Sequence, residues 1–115
     1  MIIIAGTIDL GGPAERDGLV AASAPLQQAT REQEGGCLAY CFGADPVEPA
    51  RIQIYELWAD EPSLAAHFQH PNYLNMRVLL NGAAPRAVHT AKFRCDLTEP
   101  VYDDTRTPRA DFFSA

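Results

Sequence analysis

YELWADEPSLAAHFQHPNY, residues Tyr55 to Tyr73, is the stretch from which the fold can be built outward. Its first residues close a strand that runs from Arg51 to Trp58. Side chains alternate along a strand, so Ile52, Ile54, Glu56 and Trp58 share one face. Asp60-Glu61-Pro62-Ser63 follows as a turn and a helix start, with Asp60 as N-cap and Pro62 in the tolerant first turn. Leu64, His67 and Phe68 then recur at i, i+3 and i+4, one helical stripe that carries a histidine. Pro71 stops that helix or bends it into a second one. A strand ending in an acid and an indole thus feeds a helix that presents an imidazole.

Upstream, Ile2 to Asp9 reads as a strand with Ile2, Ile4, Gly6 and Ile8 on one face and Ile3, Ala5 and Thr7 on the other. Gly11-Gly12 ends it and Pro13 opens a helix. Leu19, Ala22, Leu26, Ala29 and Thr30 repeat at helical spacing as far as about Gln33. Pro25 removes one backbone donor and crowds the carbonyl of Ala21, which predicts a kink or else two shorter helices. Glu34-Gly35-Gly36 predicts a left-handed glycine stop. Cys37 to Gly43 is the second strand, with Leu38, Tyr40 and Phe42 facing one way and Cys37, Ala39 and Cys41 the other. Ala44 to Ala50, with two prolines, is a long hairpin loop. After a break at Asn81 to Pro85, Ala87 to Leu97 is the fourth strand. His89, Ala91, Phe93, Cys95 and Leu97 share one of its faces and Thr90, Lys92, Arg94 and Asp96 the other.

The order β-α-β-β-α-β specifies an α+β, ferredoxin-like domain over residues 1–97, a four-stranded antiparallel sheet with helices on one face. The first three strands are apolar on both faces, and two helices can cover only one of them. A second copy of the sheet is the simplest cover for the other, which predicts a homodimer with facing sheets. Residues 98–115 form a polar, proline-interrupted tail that carries Phe112 and Phe113. It is expected to be a frayed end or an arm packing those rings on the dimer partner.

The chain has 115 residues, enough for one core and not two. Its net charge of −6, with no basic cluster, argues against a nucleic-acid partner. No apolar run approaches the ~20 residues of a membrane span. The N-terminal MIIIAGTIDL lacks a basic n-region and reads as a strand, not a signal peptide, so the expected location is cytoplasmic. Cys37 and Cys41 lie roughly 13 Å apart at strand rise, too far to bridge. They and Cys95 are expected to be reduced, buried thiols.

Glu34-Gly35-Gly36-Cys37-Leu38-Ala39-Tyr40 resembles the E-x-G-C-x-x-Y signature of antibiotic biosynthesis monooxygenase domains. Tyr55-Glu56-Leu57-Trp58 and Leu64-Ala65-Ala66-His67 resemble that family's E-x-W strand end and L-x-x-H helix, and the Asp45-Pro46 hairpin also matches. The resemblance covers residues 1–97 and implies a dimeric α+β barrel of ferredoxin-like halves. Members of the family oxidise anthrones or quinols with dioxygen and need no metal or flavin. Other relatives degrade haem or isomerise small phosphorylated sugars. The haem-degrading pattern has an asparagine on the first strand, then a tryptophan and a histidine in the helical region. Here the first strand has no asparagine, and His67 and Arg77 fall at the other two positions, so haem degradation is disfavoured. The resemblance therefore implies a cofactor-independent monooxygenase acting on a small quinol, anthrone or polyketide phenol.

His67 is the candidate general base, since its proton affinity lies near working pH, and Glu56 is the candidate to orient it. Equally, His67 reads as a core histidine bonded to Glu56 or a carbonyl, and Glu56 as a strand-end acid paired with Arg77. Trp58, Tyr40, Tyr73 and His70 are the candidate substrate contacts. Trp58 would stack on a flat ring or fill the core; Tyr40, Tyr55 and Tyr73 would donate to an oxyanion or sit at an interface. His67-x-x-His70 with Glu56 has the residue types of a metal site, but Pro71 bends the chain beside His70, so no metal is expected. Two alternatives are a non-catalytic ligand-binding or accessory dimer and an isomerase of small sugar phosphates. The latter needs cations, for which only Arg77 and Arg86 are near.

Overall fold

The computed structural model describes residues 1–114. Its elements run β1 (Ile2–Asp9), α1 (Pro13–Gln33), β2 (Cys37–Ala44), β3 (Arg51–Trp58), α2 (Glu61–Gln69), α3 (Pro71–Gly82) and β4 (Ala87–Arg94). The strands form one antiparallel sheet in the order β2-β3-β1-β4, the ferredoxin-like arrangement that the element order specifies. On β3 the alternation holds throughout: Ile52, Ile54, Glu56 and Trp58 are buried, while Gln53 and Tyr55 are exposed. Their partners on β1 are Ile8, Gly6, Ile4 and Ile2, and Leu10, Leu19, Tyr40, Phe42, Leu64 and Met76 complete the core. No helix among the described residues is long and apolar enough to cross a membrane.

The first helix, α1, continues through Pro25 without a break, so the two-helix alternative does not apply. Side chains that follow Pro25 on the same helix tie it to β2. The Gln27 amide donates to the Phe42 carbonyl at 3.0 Å and accepts from the Phe42 N–H at 2.9 Å, and Arg31 Nε donates to the Tyr40 carbonyl at 2.6 Å. These bonds occupy outward-facing backbone groups of β2, one edge of the sheet. At the other edge, β4 pairs only with β1.

Three local expectations do not hold in the structure. Gly35 and Gly36 are not a left-handed stop, because no glycine among the described residues has positive φ. Glu34 ends the helix in extended conformation, and its carbonyl accepts the Cys37 N–H at 2.9 Å. Gly36 is required for space instead: a Cβ there would overlap the Ser63 side chain. The alternation of β2 is also interrupted, by a bulge between Cys37 and Ala39. Cys37 therefore packs on the core and Leu38, 53% exposed, does not join Tyr40 and Phe42. All three thiols are free as expected, but they are not buried: Cys41 is exposed and the other two are half-buried.

The face of the sheet away from the helices carries Ile3, Ala5 and Thr7, flanked by Leu57, Tyr55 and Gln53 on β3 and by Phe93, Ala91 and His89 on β4. No helix covers it. Beyond β4 the tail folds on itself through a Tyr102–Pro108 bridge, with the Arg109 guanidinium 5.1 Å from the centre of the Phe113 ring. Val101, Tyr102 and Phe112 remain exposed. The radius of gyration, 16.0 Å, exceeds the ~13 Å of a compact chain of this length.

Gly6 faces Thr90 between β1 and β4, and a Cβ there would overlap the His89 carbonyl oxygen. Gly6→Ala is expected to loosen β4 and to cost roughly 1–3 kcal/mol of stability. The measurement is the urea midpoint; an unchanged value would mean that the two strands separate without cost.

Candidate active site

The turn after β3 sets the phase of the site. Asp60 Oδ1 accepts the Ser63 N–H at 2.8 Å, the N-cap that the sequence predicts. Two turns later His67 points at the sheet and is 1% exposed. The chain then turns at His70, whose Nδ1 accepts the Asn72 N–H at 3.0 Å and caps α3. On α3, Tyr73, Met76, Arg77, Leu80 and Asn81 fall at helical spacing on one stripe. That stripe, with Tyr40, Phe42, Glu56, His67 and Phe68 and the neighbouring residues of β1 and β4, lines a cavity of about 160 Å³.

His67 is held on several sides. Its Nδ1 lies 2.8 Å from Glu34 Oε1, and Glu34 Oε2 accepts from the Asn72 side-chain amide at 3.2 Å. The Trp58 indole lies 4.4 Å from the imidazole centre, tilted by 35°, and Tyr73 and Tyr40 meet it edge-on at 5.3 and 5.7 Å. Burial lowers its pKa, against the pull of the Glu34 carboxylate, so the ring is neutral at pH 7. A neutral imidazole that donates from Nδ1 to a carboxylate keeps its lone pair on Nε2. Among the described residues Nε2 has no hydrogen-bond partner. Such an imidazole can accept a proton at Nε2.

Glu56 is also buried and lines the cavity, and its Oε1 accepts from the Trp58 indole N–H at 3.0 Å. Burial raises its pKa to about 7, against the Trp58 hydrogen bond. Burial likewise pushes the Tyr40 hydroxyl far up, so Tyr40 stays a donor. The Glu56 shift has a consequence for stability. Between its ordinary value of 4.5 and about 7 the folded state holds a proton that the unfolded state has released, so stability falls as pH rises through this window. Wild type is expected to lose up to ~3 kcal/mol between pH 5 and pH 8 relative to Glu56→Gln. Urea denaturation at the two pH values measures this, and parallel curves would show Glu56 ionising at its ordinary pKa.

The predicted site residues are thus only partly brought together. His67, Glu56, Tyr40 and Tyr73 share the cavity wall. Glu56 does not orient His67, because its carboxyl is taken by Trp58; Glu34, from the far end of α1, has that position. Trp58 is fully buried behind the imidazole and does not reach the cavity, so it packs the site and cannot stack on a ligand. His70 is a helix cap and does not line the cavity. Tyr55 lies on the open sheet face. Arg77 lines the cavity, whereas Arg86 lies beside Gly11, outside its wall. No three His, Cys, Asp or Glu side chains among the described residues converge as metal ligands do. Glu34 was visible only as the first letter of a motif, placed at a helix end.

Known proteins share this framework. A protein of unassigned function from Synechocystis is 31% identical over 72 residues, which are 63% of this chain and 48% of that protein. The chain therefore spans about half the length of this curated relative. The proposed antibiotic biosynthesis monooxygenase of Deinococcus radiodurans superposes with a TM-score of 0.76 at 23% identity, covering 87% of this chain and 97% of the other. A similarly described protein from Caulobacter crescentus gives a TM-score of 0.73 at 19% identity, with 85% and 90% covered. Rv0793 of Mycobacterium tuberculosis gives 0.70 at 22%, with 85% and 96% covered. At these identities the structures speak for the fold alone. The sequence model of the antibiotic biosynthesis monooxygenase family matches residues 1–78, the segment that builds the sheet's first three strands and carries His67, Glu56 and Glu34; the chain belongs to that family.

Proposed function

We propose that the protein is a cofactor-independent monooxygenase that oxidises a small quinol or related phenol with dioxygen. The observation that carries this reading is His67, a buried neutral imidazole turned by Glu34 so that Nε2 is free at the wall of a largely apolar cavity. A phenol bound there loses its proton to Nε2. The resulting phenolate, away from water, is electron-rich enough to reduce dioxygen directly. Recombination and loss of water then place one oxygen atom in the product and one in water, as in hydroquinone plus dioxygen giving hydroxyquinone plus water. Arg77 lines the cavity and has no carboxylate within ion-pair distance among the described residues, so its charge favours the phenolate. The un-ionised Tyr40 hydroxyl is suited to donate to the oxyanion.

The cavity volume supports one class of substrate over another. An apolar cavity of about 150 Å³ accommodates benzene, so the ~160 Å³ here suits a single-ring quinol better than a three-ring anthrone. In this reading a second copy of the chain covers the open sheet face, and the free thiols fit a reducing, cytoplasmic setting. The test is oxygen uptake by metal-stripped protein against hydroquinones and anthrones. Uptake without added cofactor, faster with the hydroquinones, is expected. Ligand binding with no uptake for any compound would replace the enzyme with a ligand-binding dimer.

A further inference from the structure

Phe68 is a wall shared by two spaces. On one side is the cavity of His67; on the other lies a groove of about 540 Å³ between α2 and β4, floored by Ile2, Leu64 and Ala65. The inner face of β4 connects them. Val88 lines the cavity and Lys92 and Arg94 line the groove, with Thr90 at the same alternation between them. Val88 to Lys92 is about 14 Å at strand rise.

The groove sets two cations side by side on one strand face. Lys92, the sole lysine in a sequence of net charge −6, makes no ion pair among the described residues, as is also true of Arg77 at the cavity wall. Arg16, Arg51 and Arg109 each hold a carboxylate within 3.4 Å, and Arg31 donates to the Tyr40 carbonyl. Arg94 has only a loose contact, 3.8 Å to Asp96, with both side chains about four-fifths exposed. Glu61 lies on the opposite, α2 side of the groove and disfavours an anion there. An acidic group entering the groove is therefore drawn to the β4 side.

We propose that this groove is a subsite for an anionic group carried by the substrate. The ligand class is an aromatic acid, with one phenolic ring in the cavity and a carboxylate on a flexible spacer passing Phe68 to reach Lys92. The inference rests on the cavity being the substrate pocket, but its test does not require turnover.

Hydroxyphenylpentanoic acid and its primary amide, which differ in charge and little in shape, are titrated calorimetrically into the full chain. The acid is expected to bind roughly tenfold more tightly. Lys92→Gln should bring the ratio close to one, and Lys92→Glu should reverse it, while amide binding stays unchanged in both. An acid that binds no better than the amide overturns the subsite, whether both bind or neither does. A preference that survives Lys92→Glu overturns it too. Oxygen uptake without a preference for the acid would remove the subsite and keep the oxygenase; the preference without uptake would do the reverse.

Discussion

Replacing His67 with alanine is expected to lower oxygen uptake by about 10²- to 10⁴-fold, the range for loss of a positioned general base. The expectation follows from the pairing of Nδ1 with Glu34, which leaves Nε2 as the acceptor and keeps the ring oriented. Three accompanying results separate a base from a packing residue. Glu34→Gln should reduce turnover in the same direction but less, because its side-chain carbonyl can still accept from Nδ1 while its amide can also stabilise the wrong tautomer. Imidazole added to His67→Ala should restore part of the activity, since the substitution leaves a space of that shape. Tyr73→Phe, which keeps the edge-on ring contact, should leave turnover near wild type. Undiminished uptake in a folded His67→Ala protein would move the proton acceptor to Glu56, also at the cavity wall, whose pKa burial raises to about 7.

The second large effect is expected at Trp58. This side chain is 0% exposed, supports one face of the imidazole and gives Glu56 its hydrogen bond. Trp58→Ala should cost ~3–5 kcal/mol from lost burial and the cavity left behind. The Glu56 carboxyl then loses its partner as well. Against a total stability of about 5–15 kcal/mol, this places the variant at the edge of folding. Trp58→Phe keeps most of the volume but not the donor, so it should be milder in acid and worse above pH 7, where Glu56 ionises. Urea midpoints at pH 5 and pH 8 give both answers. A Trp58→Ala midpoint within error of wild type would mean that the indole is not part of the frame that holds His67.

What could be read from the sequence was what neighbouring residues decide. The alternation of Ile52, Ile54, Glu56 and Trp58, the Asp60 cap and the break at Pro71 are local, and together they place an imidazole over a sheet. The pairing of His67 with Glu34 spans 33 positions, and no periodicity encodes which carboxylate a distant helix end will deliver. Glu56 was the nearer acid in sequence and in strand phase, yet the Trp58 N–H, two residues along the same face, had already taken it. Leu38 departs from its expected face for a different reason: strict alternation assumes an uninterrupted ladder, and one bulge turns Cys37 inward and Leu38 out. His70 is ambiguous in sequence because a histidine before a proline-started helix satisfies backbone N–H groups as readily as it binds a ligand.

The bonds from Gln27 and Arg31 to β2 limit how many neighbours the sheet can recruit. On the β2 edge, the Tyr40 carbonyl and both Phe42 backbone groups are already engaged by the protein's own helix, whereas β4 pairs only with β1. An added strand therefore meets less obstruction at β4 than at β2. Gln27 and Arg31 thus serve as edge guards as well as helix anchors.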